Sequence, residues 1–290
     1  MKILRSPQEL REIRRNLKTN GSLPQKIGFV PTMGALHLGH RSLVERSVND
    51  CDLTIASIFV NPTQFGPNED LAKYPRTLDA DLSLLEGAQC DFLFLPEVSD
   101  IYPIGFSTFV EETEVSKPLC GAFRPGHFRG VATVVLKLFN LCQPDVAYFG
   151  QKDAQQCAVI EKMVRDLGVD IALERVPTLR EVDGLAMSSR NRYLSTEDRH
   201  EATVIYRSYL EVKKAIASGI QDSVELTEIA LATLASAPNF KIQYCEIRDQ
   251  SSLQPVIKIR AQATQHPLLF VAGYLGSTRL IDNFDLTPHN

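Results

Sequence analysis

The sequence predicts an α/β chain, a Rossmann-like parallel sheet with helices on both faces, followed by a smaller C-terminal α+β domain with an antiparallel sheet. Three observations carry this reading. Short, nearly continuous apolar runs such as IGFV (27–30), LTIASIFV (53–60) and DFLFL (91–95) read as strands buried on both faces. Stretches of helical periodicity alternate with them, as parallel crossovers require. Beyond about residue 190 the order changes to helices and then closely spaced strands, the pattern of an α+β unit. The boundary falls near residue 184, giving domains 1–184 and 185–290.

Each element has a local cause. Ser6-Pro7-Gln8-Glu9 opens a helix, with Ser as cap, Pro at the first helical position and Glu three residues on from the cap. Leu10 and Ile13 then share one face. After the turn signal Asn20-Gly21, residues 26–31 form the first apolar strand. A glycine-bearing loop, a helix through Leu43 and Val44, and a second strand (53–60) complete a β-loop-α-β unit. Helix 79–85 precedes strand 91–95, helix 131–141 precedes strand 146–149, and helix 154–167 precedes strand 171–176. Ser195-Thr196-Glu197-Asp198 is a second capping signal. It starts helices over 197–217 and 223–235, and strands follow near 241–247, 268–274 and 278–284.

Composition narrows the class. A chain of 290 residues is large for one compact unit and comfortable for two. Hydrophobic residues make up 44% and charged residues 23%, enough apolar material for real cores. The formal charge of −4 gives no electrostatic reason to expect nucleic acid or a membrane as partner. The start of the chain has no apolar signal region, and the longest apolar run, Leu268 to Leu275, is far short of the ~20 residues of a membrane span. The six cysteines form no C-x-x-C pair, and most sit in apolar strands or helix faces. They read as buried thiols in a reducing compartment, which places the chain in the cytoplasm.

The chemistry-bearing residues cluster after strands. The first strand runs into Met33-Gly34-Ala35-Leu36-His37-Leu38-Gly39-His40 at the mouth of a helix. Ligands of open α/β sheets bind beyond the carboxyl ends of strands, and a helix N-terminus there suits phosphate. Gly34 and Gly39 let backbone approach a nucleotide closely. His37 and His40, three apart, share a face and have ring N–H groups to donate. An exposed histidine pair on a plain helix is the bland alternative, and metal ligation lacks a third ligand at a suitable spacing. Gly150-Gln151-Lys152-Asp153 follows a later strand in the same way, with Lys152 a natural counter-charge for triphosphate or else a solvated surface lysine. Met187-Ser188-Ser189-Arg190 reads as a flexible polar loop able to close on a leaving pyrophosphate. Asn61 and Gln64 end the second strand. Gln64 offers both donor and acceptor to a hydroxy acid, or it satisfies loop backbone. The basic stretch from Arg124 through His127 to Gly130 is an anion-facing turn or a plain helix entrance.

Taken together these segments resemble the nucleotidyltransferase-like α/β superfamily, with His37 to His40 as an H-x-G-H motif and Met187 to Arg190 as a lysine-less variant of its K-M-S-K-S loop. Six blocks in order narrow the match: PTMGALHLGH (31–40), FVNPTQF (59–65), YPRT (74–77), GHFRGV (126–131), GQKD (150–153) with Gln155 and Gln156, and DGLAMSSRNRY (183–193). They resemble the pantoate–β-alanine ligase family, AMP-forming. The resemblance implies that ATP and pantoate give pantoyl adenylate and pyrophosphate, and that β-alanine then attacks with release of AMP. It implies an ATP site of Met33 to His40, Gly150 to Asp153, Leu179 and Met187 to Arg190, with His40 as proton donor. By the same resemblance Gln64 and Gln156 bind pantoate, Asn61 lies beside them, and Mg²⁺ accompanies the triphosphate with Asp81 as a candidate ligand. It further implies a homodimer through the first domain.

The chemistry fits this residue set. A carboxylate attacking an α-phosphate brings two anions together, so the site must supply positive charge and positioned donors. His37, His40, Lys152 and Arg190 are the candidates for that work. The first domain would then bind nucleotide and pantoate, and the second would act as a lid hinged at 184–195. Three readings compete. A cofactor adenylyltransferase of the same superfamily is set against the Gln64 and Gln156 blocks. A class I aminoacyl-tRNA synthetase relative is disfavoured by size and charge. A non-catalytic nucleotide sensor would have little use for the histidines, Lys152 and the Ser-Ser-Arg loop together.

Overall fold

The computed structural model describes residues 1–19, 25–67, 69–260 and 264–288, so the Asn20-Gly21 turn lies outside the described residues. The chain divides into two compact units. One comprises Met1–Gly150 with Val159–Pro177, the other Gln151–Ala158 with Thr178–Asn290.

In the first unit the elements run β1 (Lys2–Leu4), α1 (Pro7–Thr19), β2 (Ile27–Thr32), α2 (Leu38–Asp50), β3 (Leu53–Ile58), α3 (Leu78–Gly87) and β4 (Phe92–Phe94). Two short helices, α4 (Val98–Ile101) and α5 (Cys120–Phe123), precede α6 (His127–Cys142) and β5 (Val146–Gly150). Helix α7 (Ala154–Asp166), of which only the part from Val159 onward belongs to this unit, leads to β6 (Ala172–Val176). The six strands form a wholly parallel sheet in the order β1-β4-β3-β2-β5-β6, the expected α/β class. Ile27 to Val30 are all buried, which requires cover on both faces of the sheet. Helix α2 packs on β2 with Leu43 and Val44 in one core with Val30, Ala56 and Leu93. Helices α1 and α6 pack together. Strand β2 is where the order reverses, with β3 on one side and β5 on the other. The crevice beyond its carboxyl end is therefore the topological switch point.

In the second unit α8 (Thr196–Glu201), α9 (Val204–Ala217) and α10 (Ser223–Leu234) precede β7 (Lys241–Asp249), β8 (Pro267–Leu275) and β9 (Thr278–Asp285). The strands pair antiparallel in the order β7-β8-β9. Helices α9 and α10 pack on each other, and Val212, Leu226, Ala230 and Leu234 share a core with Leu269 and Val271.

The sequence cues act as their chemistry dictates. The Ser6 hydroxyl accepts from Glu9 N at 3.2 Å, and the Glu9 carboxylate accepts from Ser6 N in return. The Ser195 hydroxyl caps α8 through Asp198 N at 3.0 Å. Three boundaries differ from expectation. Strand β1 carries no periodicity that three residues could display. Helix α6 starts at His127 rather than near 131, and the helix expected over 197–217 breaks at Ala202-Thr203 into α8 and α9.

Candidate active site

The turn between β2 and α2 is built on backbone that side chains resist. Gly34 lies at φ +82° and Ala35 at φ +51°, both left-handed. Two side chains hold it there. Thr32 donates its hydroxyl to Ser57 O at 2.7 Å and accepts from Gly34 N at 3.2 Å. Asp81, on α3 and 2% exposed, accepts from Ala35 N at 3.0 Å through Oδ2. Its Oδ1 accepts from Leu36 N at 2.8 Å and from the Thr77 hydroxyl at 3.0 Å. A buried carboxylate that receives three donors is well compensated, and here they fix a loop.

The two histidines cap α2. His37 Nδ1 accepts from Gly39 N at 3.1 Å, and His40 Nδ1 accepts from His37 N at 3.3 Å. This is the reciprocal arrangement of a capping box, made with imidazoles. Because each Nδ1 accepts, each neutral ring carries its proton on Nε2. The rings lie 4.1 Å apart between centroids. The pair is thus structural at one edge and a donor set at the other.

After β3 the chain enters a 3₁₀ turn, Pro62–Gln64. Asn61, 1% exposed, accepts through Oδ1 from Thr63 N, the Thr63 hydroxyl and the Tyr102 hydroxyl, the last at 2.8 Å. Its amide donates to Gln64 Oε1 at 2.9 Å and to Gly130 O at 3.2 Å. A Cβ at Gly130 would stand 2.4 Å from Thr63 O, so only glycine lets α6 approach this turn. Gln64 Nε2 reaches Met33 Sδ at 3.0 Å, joining this turn to the β2–α2 loop. Arg124 donates to His127 Nε2 at 3.0 Å, which leaves the proton on Nδ1 to donate to Gln64 O at 2.8 Å. Arg124 also forks onto Glu69, with Nε–Oε1 at 2.7 Å. Burial alone would raise the Glu69 carboxyl, but the hydrogen bond and charge of Arg124, together with a backbone hydrogen bond at Gly66 and the nearby His127, hold the group below the ordinary range.

In the second unit, Gln151–Asp153 form a 3₁₀ turn whose carbonyls are held from β9. Asn283 Nδ2 donates to Gln151 O at 2.8 Å and to Lys152 O at 2.9 Å. Residues 179–187 make a narrow hairpin, with Glu181 N to Leu185 O at 2.8 Å and Met187 N to Leu179 O at 3.0 Å. Ser188 then caps a 3₁₀ turn, Ser189–Tyr193, by accepting from Arg190 N. Asn191 ties that turn back to Glu181 Oε1 and Ala186 O. Residues 188–193 thus form a hydrogen-bonded turn.

A family model for pantoate–β-alanine ligase matches residues 2–285. The chain belongs to that family. A pantothenate synthetase of Thermosipho africanus is 50% identical over 98% of this chain and 99% of its own length. Pantothenate synthetase 1 of Bradyrhizobium diazoefficiens is 52% identical over 95% of this chain and 96% of its own. The crystal structure of pantothenate synthetase from Thermus thermophilus superposes with a TM-score of 0.91 at 44% identity, covering 99% of this chain and 100% of that one. The pantoate–β-alanine ligase of Francisella tularensis, crystallised with β,γ-ATP and β-alanine, superposes with a TM-score of 0.78 at 37% identity, covering 98% of this chain and 97% of that one.

Within the ligase's first unit, Met33 to His40, Asn61, Gln64 and Asp81 come together through bonds traced above, and Gly150 ends β5. Within the second, Gln151, Lys152 and Asp153 share one turn, Gln156 lies half-buried in the first turn of α7, and Leu179 pairs with Met187 beside Ser188, Ser189 and Arg190. Sequence reasoning missed Tyr102, the loop-holding bonds of Asp81, and Asn283. Asp81 and Asn283 carry a visible signal, a polar residue at a core-facing position. Among the described residues no group of three or more His, Cys, Asp or Glu stands together as a metal site. Both oxygens of Asp81 are already engaged by Ala35 N, Leu36 N and the Thr77 hydroxyl, so this carboxylate is committed to the loop.

Proposed function

We propose that this ligase joins pantoate to β-alanine through a pantoyl adenylate, with the β2–α2 loop as its ATP phosphate cradle. The observation that carries the reading is the capped histidine pair at the topological switch point. Two Nε2–H donors stand at a helix N-terminus, behind a loop whose backbone is fixed by Asp81. Such preorganised donors stabilise charge that develops on a phosphate oxygen without reorganising during the reaction. Lys152 and Arg190 supply further positive charge for the triphosphate and pyrophosphate. Gln64, set by Asn61 and His127, presents its amide to pantoate, with Gln156 as the second pantoate contact. Asp81 acts as the loop's anchor. Mg²⁺ enters with the nucleotide.

The cytoplasm is the compartment of this chemistry, a reading supported by six cysteines that all remain thiols. The functional form is a homodimer through the first unit. Support comes from the exposed Ile104 and Phe109 on the irregular segment between α4 and α5. Sedimentation at twice the chain mass tests that part.

The adenylate is tested by ATP–pyrophosphate exchange. Exchange should need pantoate and no β-alanine, and added β-alanine should then release AMP stoichiometrically with pantothenate. Exchange independent of pantoate, or retention of AMP in the final product, would overturn the reading in favour of an adenylyltransferase.

A further inference from the structure

Strand β9 contains two adjacent polar residues, Asp282 and Asn283, each only 4% exposed. Buried polar side chains inside an apolar strand are costly unless their bonds are made, so their partners define what they do. Asp282 receives the guanidinium of Arg180 on both oxygens, at 2.6 and 3.1 Å. Arg180 also donates to Gly184 O at 3.1 Å and lies 4.5 Å over the Phe284 ring. That residue starts the 179–187 hairpin, so the hairpin's base is fixed to β9. Asn283 spends both amide hydrogens on the carbonyls of Gln151 and Lys152, and its Oδ1 receives Gln151 Nε2 at 3.3 Å.

We propose that Asn283 is a positioning residue for Lys152, fixing the backbone from which its ammonium group reaches the nucleotide phosphates. This inference rests on the reading of Lys152 as a phosphate contact. A lysine is a point charge on a flexible four-carbon stem, and its aim depends on the backbone that carries it. A short 3₁₀ turn has few internal bonds of its own. Asn283 supplies the missing partners from a strand paired along its whole length with β8. Without the amide, the Gln151 and Lys152 carbonyls would turn to water and the turn would relax. A displacement of about 1 Å in a positioning group is enough to cost roughly 100-fold in rate.

The test is a double-mutant cycle of Asn283→Ala and Lys152→Ala, read as kcat/KM for ATP in pantoate-dependent pyrophosphate exchange, with the thermal midpoint measured alongside. Lys152→Ala alone should lower kcat/KM for ATP by about 100-fold. Asn283→Ala alone should lower it by about 10- to 100-fold. In the Lys152→Ala background the second substitution should cost no more than about 3-fold, because no ammonium group remains to be aimed. Equal losses in both backgrounds would reduce Asn283 to a general structural role and overturn the inference while leaving the reading of Lys152 intact. A Lys152→Ala variant with normal ATP kinetics would remove that reading and the inference with it. Should Asn283→Ala unfold near the assay temperature, Asn283→Ser retains one donor, and its smaller loss must show the same dependence on Lys152.

Discussion

Replacing Asp81 by Asn is the sharpest probe of the phosphate loop, because it alters the carboxylate with almost no change of shape. The Asn oxygen can still accept from Leu36 N and the Thr77 hydroxyl, on the side where two donors converge. Its NH₂ then faces Ala35 N, donor against donor. One charge-assisted hydrogen bond is lost, worth about 1.5–3 kcal/mol, and a buried N–H at a left-handed residue is left unpaired. A cost of about 2–4 kcal/mol to the ordered turn follows, or roughly 30- to 1,000-fold in its population at 1.36 kcal/mol per decade. The loop can relax into water without unfolding β2 or α2, so the loss should appear mainly as a smaller competent fraction. Pyrophosphate exchange measured against ATP concentration should therefore show kcat/KM reduced by at least about 30-fold, with a thermal midpoint lowered by only a few degrees. Asp81→Ala, which abandons both N–H groups, should be worse on both measures. An Asp81→Asn enzyme within about 2-fold of the parent would refute the view that this carboxylate fixes the loop.

Three further outcomes are expected. His40→Ala should lower kcat for adenylate formation by about 100- to 1,000-fold, the range for a lost oxyanion-type donor. His40→Asn, which keeps an acceptor for His37 N but lacks the outer donor, should fall as far, and near-normal exchange in it would remove the role given to Nε2. Burial alone would raise the Asp249 carboxyl, but hydrogen bonds from Ser252, His266 and Ser251 outweigh it and hold the group below the ordinary range. Its stabilisation is therefore complete above the unfolded-state value of about 3.9 and is lost as pH falls through the lower folded value. The stability gap between the parent and Asp249→Asn should shrink as pH falls below about 4, and a constant gap would contradict this. Burial pushes the Cys90 and Cys245 thiols up to about 12, whereas Cys51 is only half-buried. Mass spectrometry after brief alkylation of the native protein should find Cys51 modified first, and early labelling of Cys90 or Cys245 would count against the packing around them.

The fold was legible because strands such as β2, β3 and β8 are nearly continuous apolar runs and helices such as α1 and α8 carry caps that act locally. The Ser6 and Ser195 caps involve partners three residues away, so a sequence reader sees both halves at once. The H-x-G-H stretch was legible for the same reason, although its second use was not. That the histidines cap their own helix depends on ring rotamers and on a β2–α2 turn with two left-handed residues. The role of Asp81 was hidden by distance, since its partners lie 45 and 46 residues earlier. A hint was present: Asp81 sits one helical turn before the buried Leu85, where an acid has no reason to face the core without a partner. Asn283 is similar. Two polar residues side by side in LIDNF break the alternation of an ordinary strand, but nothing local says that the target is Lys152.

The bond from Asn283 to Lys152 spans 131 residues of sequence. Closing so long a loop costs chain entropy before any contact repays it, and such contacts form late in folding. The 3₁₀ turn at Lys152 thus reaches its final shape only after β9 has docked, whereas the β5 strand before it pairs with β6, which follows within a few tens of residues, and with β2, which is made earlier. During synthesis, at about 5–20 residues per second, several seconds pass between the emergence of Lys152 and that of its anchor. Along the growing chain all six strands of the parallel sheet are therefore made before the anchor of Lys152 appears.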